Sequence, residues 1–241
     1  MEPHKHQTQQ YCAVEWPLTS QRDHAEPHNV QVDAVVEGPD GQSRRVPAFW
    51  KGGKEWRVRF APDSLGTWRY RTECSESSDT GLHGVEGTIE VTPYGGDNPL
   101  LSHGPLRVSG NRRYFEHHDG TPFFWLGDTW WSLIAERVSW PKGFKSLTAD
   151  RVKKGFTVVQ IVVGFQPETE FADSRNENRG GQPWVPGDKQ YERINPGYYD
   201  AADERIQWLI RNGIVPCIVG SWGYHMRWIG VEKMKAHWRN L

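Results

Sequence analysis

The chain contains 241 residues, which is enough for one large domain or two small ones. Its 29 basic and 30 acidic side chains nearly cancel, so no strong field of one sign predicts nucleic acid or an anionic membrane surface as a partner. No apolar run approaches the roughly 20 residues that a membrane-spanning helix needs. Tryptophan is unusually frequent, at 13 residues, which suggests that several of these rings line a surface.

Signals for cofactors, metals and targeting are absent from the sequence. The cysteines Cys12, Cys74 and Cys217 lack metal-ligand spacing and predict isolated thiols. The ligand-type residues at 116–119 lie on a predicted turn where adjacent side chains point apart, so no metal is predicted there. No phosphate-binding loop or dinucleotide motif occurs, and we expect no cofactor. The polar start Met1–Gln7 lacks a signal-peptide core, which predicts a cytoplasmic location, although a relative with a different start could be secreted or periplasmic.

The first part of the chain has the pattern of short antiparallel strands. Apolar and polar residues alternate in several segments, among them 30–36, 56–60 and 68–71. Sequences typical of tight turns separate these segments. Short strands joined by tight turns predict an Ig-like antiparallel β-sandwich over residues 10–93.

After a loop-rich linker the periodicity changes to that of an α/β protein. Continuous β-branched runs are typical of parallel strands that are buried on both faces. Strands and helices alternate in chain order near Leu126, 147–154, 157–163, 199–210 and 214–219. This order predicts the first part of a (β/α)8 TIM barrel over residues 107–241. The predicted fold class is therefore multidomain, β followed by α/β.

Polar and aromatic residues follow each predicted strand of this second part, at the end where TIM barrels build active sites. The segment 122–131 shows this best, because its apolar start gives way to Gly-Asp-Thr-Trp-Trp. A carboxylate that accepts hydrogen bonds from hydroxyls, beside an indole face that packs on a sugar ring, is typical of saccharide binding. We predict seven substrate-binding residues, Asp128, Trp130, Trp131, Gln166, Trp222, Tyr224 and His225.

Several of these candidates also have a purely structural interpretation. Asp128 could cap the next helix, with Trp130 and Trp131 buried in that helix. His225 is more simply explained as a hydrogen-bonded structural histidine than as an acid/base. The long charged loop at 167–198 could be a subsite or lid, or it could be disordered.

The chain resembles the apiosidase-like family of glycoside hydrolases in four segments, Phe124–Trp130, Gly155–Gln160, Asn178–Trp184 and Gly213–Pro216. Its first part resembles, through Trp56–Pro62 and Gly66–Tyr70, the β-sandwich that often precedes that catalytic domain. The resemblance implies a TIM-barrel domain that hydrolyses glycosidic bonds in plant cell-wall or similar polysaccharides or oligosaccharides. It also implies a retaining mechanism, which uses two carboxylates.

The expected position of those carboxylates leads to a further prediction. In the retaining barrel hydrolases that the chain resembles, the acid/base follows the fourth strand and the nucleophile the seventh. Residues 107–241 provide three predicted strands, whereas a full barrel takes about 250 residues. We therefore expect a C-terminally truncated fragment and assign no catalytic residue. An open barrel edge also predicts self-association. The alternative function is a non-catalytic carbohydrate-binding or adaptor module.

Overall fold

A computed structural model describes residues 4–187 and 190–241 of the protein. The chain divides into two compact units, an N-terminal unit that ends at Asp97 and a C-terminal unit that begins at Asn98. This boundary lies inside the predicted linker, and the finer domain limits stay predictions. No helix in the described part of the chain is long and apolar enough to cross a membrane.

The N-terminal unit is a seven-stranded sheet. Its strands are β1 His4–Gln9, β2 Val14–Thr19, β3 Val32–Glu37, β4 Ser43–Gly52, β5 Glu55–Phe60, β6 Gly66–Cys74 and β7 Glu86–Thr92. They lie in the order β1-β7-β6-β3-β4-β5-β2. All neighbours are antiparallel except β1 and β7, which pair in parallel. The strands within the predicted limits 10–93 are thus all antiparallel to their neighbours there. Strand β1 lies before residue 10 and was not predicted, and no hairpin connects it to β7, with which it pairs.

The N-terminal sheet curves around one apolar core. Strand β4 pairs with β3 through its first half and with β5 through its second half. The outer strands β1 and β2 also approach each other, so the sheet is nearly closed. Alternation turns Trp16, Trp56 and Trp68 inward, where they are buried. The unit is therefore a sheet-rich body with one core, and its finer description as a two-sheet sandwich stays a prediction.

A buried carboxylate joins two loops of this unit. The side chain of Asp79 is buried and accepts hydrogen bonds at 2.6–3.1 Å from Ser20 Oγ, Gln21 N, His24 Nε2 and Gly81 N. Burial by itself would raise the pKa of the Asp79 carboxyl. The hydrogen-bond donors outweigh burial and hold this pKa below its usual value of 3.8.

The C-terminal unit contains two small sheets and five helices in its described part. Its elements are α1 Pro99–Ser102, β8 Leu106–Val108, β9 Phe115–His117, β10 Pro122–Phe123, β11 Gly127–Thr129, α2 Lys142–Lys153, β12 Val158–Val162, α3 Pro196–Arg211, β13 Val215–Val219, α4 Met226–Ile229 and α5 Val231–Asn240. Strands β8, β9 and β10 form an antiparallel sheet. Strands β11, β12 and β13 form a parallel sheet with β12 in the centre, which confirms the predicted parallel pairing.

The first parallel strand begins later than the sequence predicts. The apolar run near Leu126 is not a buried strand, since Phe124 is 76% exposed and Trp125 is 45% exposed. The Thr157 hydroxyl donates to the carbonyl of Phe124 at 2.6 Å and accepts from the N–H of Leu126 at 3.1 Å. These side-chain bonds occupy backbone groups of the run, and regular pairing starts at Gly127.

Helices α2 and α3 cover one face of the parallel sheet. Val159 and Ile161 of β12 pack there in a cluster with Phe144, Tyr198 and Leu209. Helix α3 ends at Arg211, as the Asn-Gly sequence that follows it predicts. Helix α2 begins at Lys142, five residues earlier than predicted, because polar residues in its first turn hide the apolar face.

The long loop after β12 is anchored by buried polar side chains. Asn176 Oδ1 accepts from the N–H of Gln166 at 2.9 Å, and Asn178 Nδ2 donates to the carbonyl of Tyr198 at 2.9 Å. Trp184 is buried against Phe165, with ring centroids 4.9 Å apart. These anchors contradict the disorder interpretation for the described residues of the loop. The lid or subsite interpretation stays a prediction.

We predict that Asp79→Asn destabilises the N-terminal unit by about 2–3 kcal/mol at neutral pH, because an amide NH2 would then face groups that donate. Chemical denaturation followed by tryptophan fluorescence measures the loss. Glu73→Gln is the matched control, since it removes an exposed ion pair with Arg45 and should cost less than about 1 kcal/mol.

The same pair of variants gives a pH test. The pKa of Asp79 is lowered in the folded state, so its contribution is present above 3.8 and is lost as pH falls through the folded value. The difference in unfolding free energy between wild type and Asp79→Asn should therefore shrink in acid. A loss no larger than that of Glu73→Gln at neutral pH would contradict the assignment.

Candidate functional site

The register of the parallel sheet decides which side chains share a face. Thr129, Gln160 and Cys217 are direct partners across β11, β12 and β13. Because strand side chains alternate, this row lies opposite the face on which Val159 and Ile161 meet the helices. A cavity of about 320 Å³ opens on this opposite face, lined by Trp125, Gly127, Asp128, Thr129, Val158, Gln160 and Cys217.

Two tryptophans meet at the carboxyl end of this face. The rings of Trp131, after β11, and Trp222, after β13, lie 4.9 Å apart in an edge-to-face arrangement with a 60° interplanar angle. Trp131 Nε1 donates to Gln160 Oε1 at 3.0 Å, which fixes the indole against the central strand. Trp131 is 38% exposed and Trp222 is partly buried, so the pair is accessible to solvent.

Gln160 is the polar group that the sequence reasoning missed. Its position in a β-branched run gave the appearance of a strand buried on both faces. The structure turns its side chain to the cavity, where its amide oxygen accepts from Trp131. Its amide nitrogen has no protein partner among residues 4–187 and 190–241, so two N–H donors are left for solvent or a ligand. A single polar residue in an otherwise apolar run was the available signal.

The carboxylate of Asp128 is engaged within the protein. Its Oδ2 accepts from Arg151 Nε of α2 at 2.6 Å and from Trp130 Nε1 at 2.8 Å, and its Oδ1 accepts from the N–H of Thr129 at 2.8 Å. Burial would raise the pKa of this carboxyl, but hydrogen bonds from Arg151, Trp130 and Thr129 outweigh burial and lower it.

These contacts test the structural and the sugar-binding interpretations of residues 128–131. The capping interpretation of Asp128 is wrong, because the next helix begins at Lys142. The buried-helix interpretation is wrong for Trp131, which lies in a loop and is exposed, whereas Trp130 is buried against Phe144 at 5.6 Å. The geometry favours a structural role for the Asp128 carboxylate, and its direct contact with a sugar stays a prediction.

Gln166 and His225 lie in a buried polar network. The hydroxyl of Thr169 donates to the carbonyl of Gln166 at 2.7 Å, and the carbonyl of Thr169 lies 2.9 Å from His225 Nε2. Burial lowers the pKa of His225 despite this contact, so its ring is a neutral donor at physiological pH. These contacts favour the structural interpretation of His225.

Tyr224 stacks on His225 with ring centroids 4.2 Å apart. Its hydroxyl is buried and has no hydrogen-bond partner in the described part of the chain. Of the seven candidates, the structure brings Trp131 and Trp222 together as one accessible surface. Sugar contacts stay predictions for the other five candidates, Asp128, Trp130, Gln166, Tyr224 and His225.

The groups on this face are suited to binding. Its cavity lining contains one carboxylate, Asp128, which is paired with Arg151. Retaining hydrolysis needs two carboxyl groups about 5–5.5 Å apart, one of them free to attack. No group of three or more His, Cys, Asp or Glu side chains that could hold a metal occurs among the residues that the structure describes. Stacking and amide hydrogen bonding are therefore the available interactions.

The sequence reasoning also missed His237. This α5 residue is buried, contacts Tyr199 Oη through Nδ1 at 2.7 Å, and packs against Trp184 at 4.7 Å. Burial lowers its pKa to about 4. A single histidine in a polar helix carries no pattern that marks it as buried, so only the packing identifies it.

We predict that Asp128 and Arg151 act as a structural pair. Asp128→Asn should lower the stability of the C-terminal unit by about 1–2 kcal/mol, because Arg151 loses a charged acceptor. Arg151→Gln should cost a similar amount, and the double variant should cost less than the sum. Thermal unfolding of the four proteins completes the cycle. Asp150→Asn, which removes the other carboxylate on Arg151, is the control. Strict additivity would contradict the pairing.

We predict a pH dependence from His237. Its folded pKa of about 4 lies below the ordinary value of 6.5, so the unfolded chain binds a proton first. Stability of the C-terminal unit should be full above pH 6.5 and should fall as pH drops towards 4. His237→Asn should make stability depend less steeply on pH in this range. His103→Asn, which replaces an exposed histidine, should leave the pH dependence unchanged. The measurement is the thermal midpoint of each protein between pH 4 and 6.5. An equal dependence on pH in both variants would contradict the role assigned to His237.

Two family models match the chain. Residues 109–240 match a model described as the apiosidase-like catalytic domain. Residues 7–75 match a domain of unknown function, DUF5060. No curated protein matches the chain.

Solved structures give a further comparison. A candidate glycoside hydrolase from Bacteroides vulgatus ATCC 8482 is 23% identical, with a TM-score of 0.67, and the match covers 89% of this chain and 41% of that one. At this identity the likeness shows the fold alone. A family 5 glycoside hydrolase from the same organism is 25% identical over 58% of this chain and 30% of that one, with a TM-score of 0.41. The chain thus spans less than half the length of either protein. Because the match over 109–240 covers more than half of its residues, the chain belongs to the apiosidase-like catalytic-domain family, which is glycoside hydrolase-like.

Proposed function

We propose that this protein binds a carbohydrate of the plant cell wall, or a similar polysaccharide or oligosaccharide, on the face formed by Trp131, Trp222 and Gln160, as part of a retaining glycoside hydrolase. The observation that carries the proposal is the accessible Trp131–Trp222 ring pair at the carboxyl end of the parallel sheet. Family membership supports the same reaction class.

A sugar ring offers a protein both an apolar and a polar surface. A pyranose or furanose ring presents C–H groups on one face and hydroxyls around its edge. An indole ring packs against the C–H face, and an amide donates to and accepts from hydroxyls. Gln160 places its free N–H donors beside the Trp131 ring, so one sugar unit could use both interactions.

The proposal places catalysis outside the described residues of this face. Asp128 is the carboxylate of the cavity lining, and hydrogen bonds from Arg151, Trp130 and Thr129 engage both of its oxygens. One carboxylate cannot serve as both nucleophile and acid/base. We therefore expect saccharide binding without turnover from this chain. The parallel sheet would be the first part of a TIM barrel, and the N-terminal unit the sandwich that accompanies it.

A non-catalytic carbohydrate-binding module is the second candidate. The engagement of Asp128 favours it, since binding needs no free carboxylate. Both candidates use the same aromatic face, and neither predicts turnover by this chain, so turnover by a longer form of the protein would distinguish them. Self-association through the edge of the parallel sheet and a cytoplasmic location also stay predictions.

We expect Trp131→Ala and Trp222→Ala each to weaken saccharide binding about 10-fold or more, because each removes a stacking ring, and 10-fold corresponds to about 1.4 kcal/mol. Gln160→Leu keeps the volume and removes the amide, so it should also weaken binding. Calorimetric titration with cello-, xylo-, manno- and galacto-oligosaccharides measures this. Phe124→Ala, an exposed aromatic ahead of β11, is the matched control.

The same panel tests turnover through the release of reducing sugar. Absence of binding to every oligosaccharide, or binding that survives both tryptophan substitutions, would refute the proposed site. Turnover by this chain that Asp128→Asn abolishes would show that Asp128 is catalytic, and would overturn the assignment of catalysis to other residues.

A further inference from the structure

Ser221 has a backbone conformation that serine rarely adopts. It follows β13 directly after Gly220, and its φ is 141°. The other described non-glycine residues with positive φ lie between 59° and 65°, in the left-handed helical region that side chains tolerate. A φ near that of Ser221 is close to glycine-only territory, so the backbone at this strand end is strained.

Packing between the ends of β12 and β13 holds Ser221 in this conformation. The N–H of Phe165 donates to Ser221 Oγ at 3.2 Å. Gly164 lies so close that a Cβ there would come within 2.6 Å of Ser221 Oγ. Gly164 is itself fixed, because its N–H donates to the buried Tyr198 hydroxyl at 3.0 Å and its carbonyl accepts from that hydroxyl at 3.3 Å. The two strand ends are therefore joined through a serine hydroxyl and a glycine.

The residue after Ser221 is Trp222, whose ring meets Trp131 at 4.9 Å. A rotation of the backbone at Ser221 would change the direction in which Trp222 leaves the strand. Gln160 fixes the position of Trp131 independently of Ser221. The two rings therefore meet only if the backbone directs Trp222 towards Trp131. Strain of this kind persists only where the surrounding structure overdetermines the conformation, and it is often found at binding sites.

We propose that Ser221 is a positioning residue, whose strained backbone and hydroxyl bond to Phe165 hold Trp222 against Trp131. Its consequence for saccharide binding rests on the proposed function, but the positioning itself does not. A relaxed backbone at this point would be more stable locally and would separate the two rings.

Comparison of Ser221→Gly with Ser221→Ala isolates the strain, because both variants lose the hydroxyl. Glycine ordinarily destabilises a protein relative to alanine. At Ser221 the order should invert, with the thermal midpoint of Ser221→Gly about 2–4 °C above that of Ser221→Ala, since glycine removes the strain. Ser139 is the matched control, because its Oγ also accepts one backbone N–H, from Gly143, and its φ is not positive. There glycine should be no more stable than alanine.

A spectroscopic readout reports on position, which a merely structural role would not change. Indoles in edge-to-face contact couple their far-ultraviolet transitions and give paired circular dichroism bands of opposite sign. The difference spectrum between wild type and Trp222→Phe defines the contribution of this pair. Ser221→Ala keeps the strain but loses the hydroxyl bond that offsets it, so its backbone should relax and lose at least half of that contribution. Ser221→Gly, which accepts the same φ without strain, should retain it, as should the two Ser139 variants.

The outcomes separate this proposal from the proposed function. Full retention of the coupled bands in Ser221→Ala, or a Ser221→Gly midpoint at or below that of Ser221→Ala, would overturn the positioning role. Where wild type binds an oligosaccharide, the variants that lose the bands should bind it about 5-fold or more weakly, and unchanged binding would overturn the functional consequence. Where wild type binds none of the panel, the bands and midpoints still decide whether Ser221 positions Trp222.

Discussion

The pairing of β12 with both of its neighbours is the constraint on which the C-terminal unit depends. Its ladder with β11 and β13 sets one register, and that register sends Val159 and Ile161 to the helices and Gln160 to the cavity. A shift of one residue would exchange the faces and bury an amide among apolar side chains, at a cost of about 1–3 kcal/mol from that group alone. The position of the aromatic pair follows from the same register, because Trp131 is fixed by Gln160.

Polar groups that look suited to chemistry serve mostly to connect elements. Asp128 joins β11 to α2 through Arg151, Thr169 joins the long loop to His225, and His237 joins α5 to α3 through Tyr199. Each is engaged because a buried polar atom without a partner costs more than a hydrogen bond returns. Two accessible indole rings and the amide of Gln160 lie at the carboxyl end of this face. This division supports the proposal that the face binds a saccharide.

The backbone conformation at the end of β13 lowers local stability but positions the Trp131–Trp222 pair. A relaxed chain would avoid the φ of 141° at Ser221, and the absence of a side chain at Gly164 leaves room for the Ser221 hydroxyl in this conformation. The buried Tyr198 hydroxyl holds Gly164 in place by accepting a hydrogen bond from its N–H at 3.0 Å. An exposed tryptophan is likewise unfavourable in an isolated fold, and both features lie at the strand ends where we propose that a saccharide binds.

Periodicity and local motifs were enough to predict the change from a β unit to an α/β unit, the strands centred on Ile161 and Ile218, and the family, because these signals are carried by neighbouring residues. It misplaced the first parallel strand, since an apolar run does not show that the Thr157 hydroxyl occupies its backbone. It did not identify Gln160 or His237, because facing direction depends on register and burial depends on distant packing. The contacts of Asp128 with Arg151 and of Trp131 with Trp222 could be identified from the folded chain alone, since the residues of each pair are 23 and 91 positions apart and no local pattern links them.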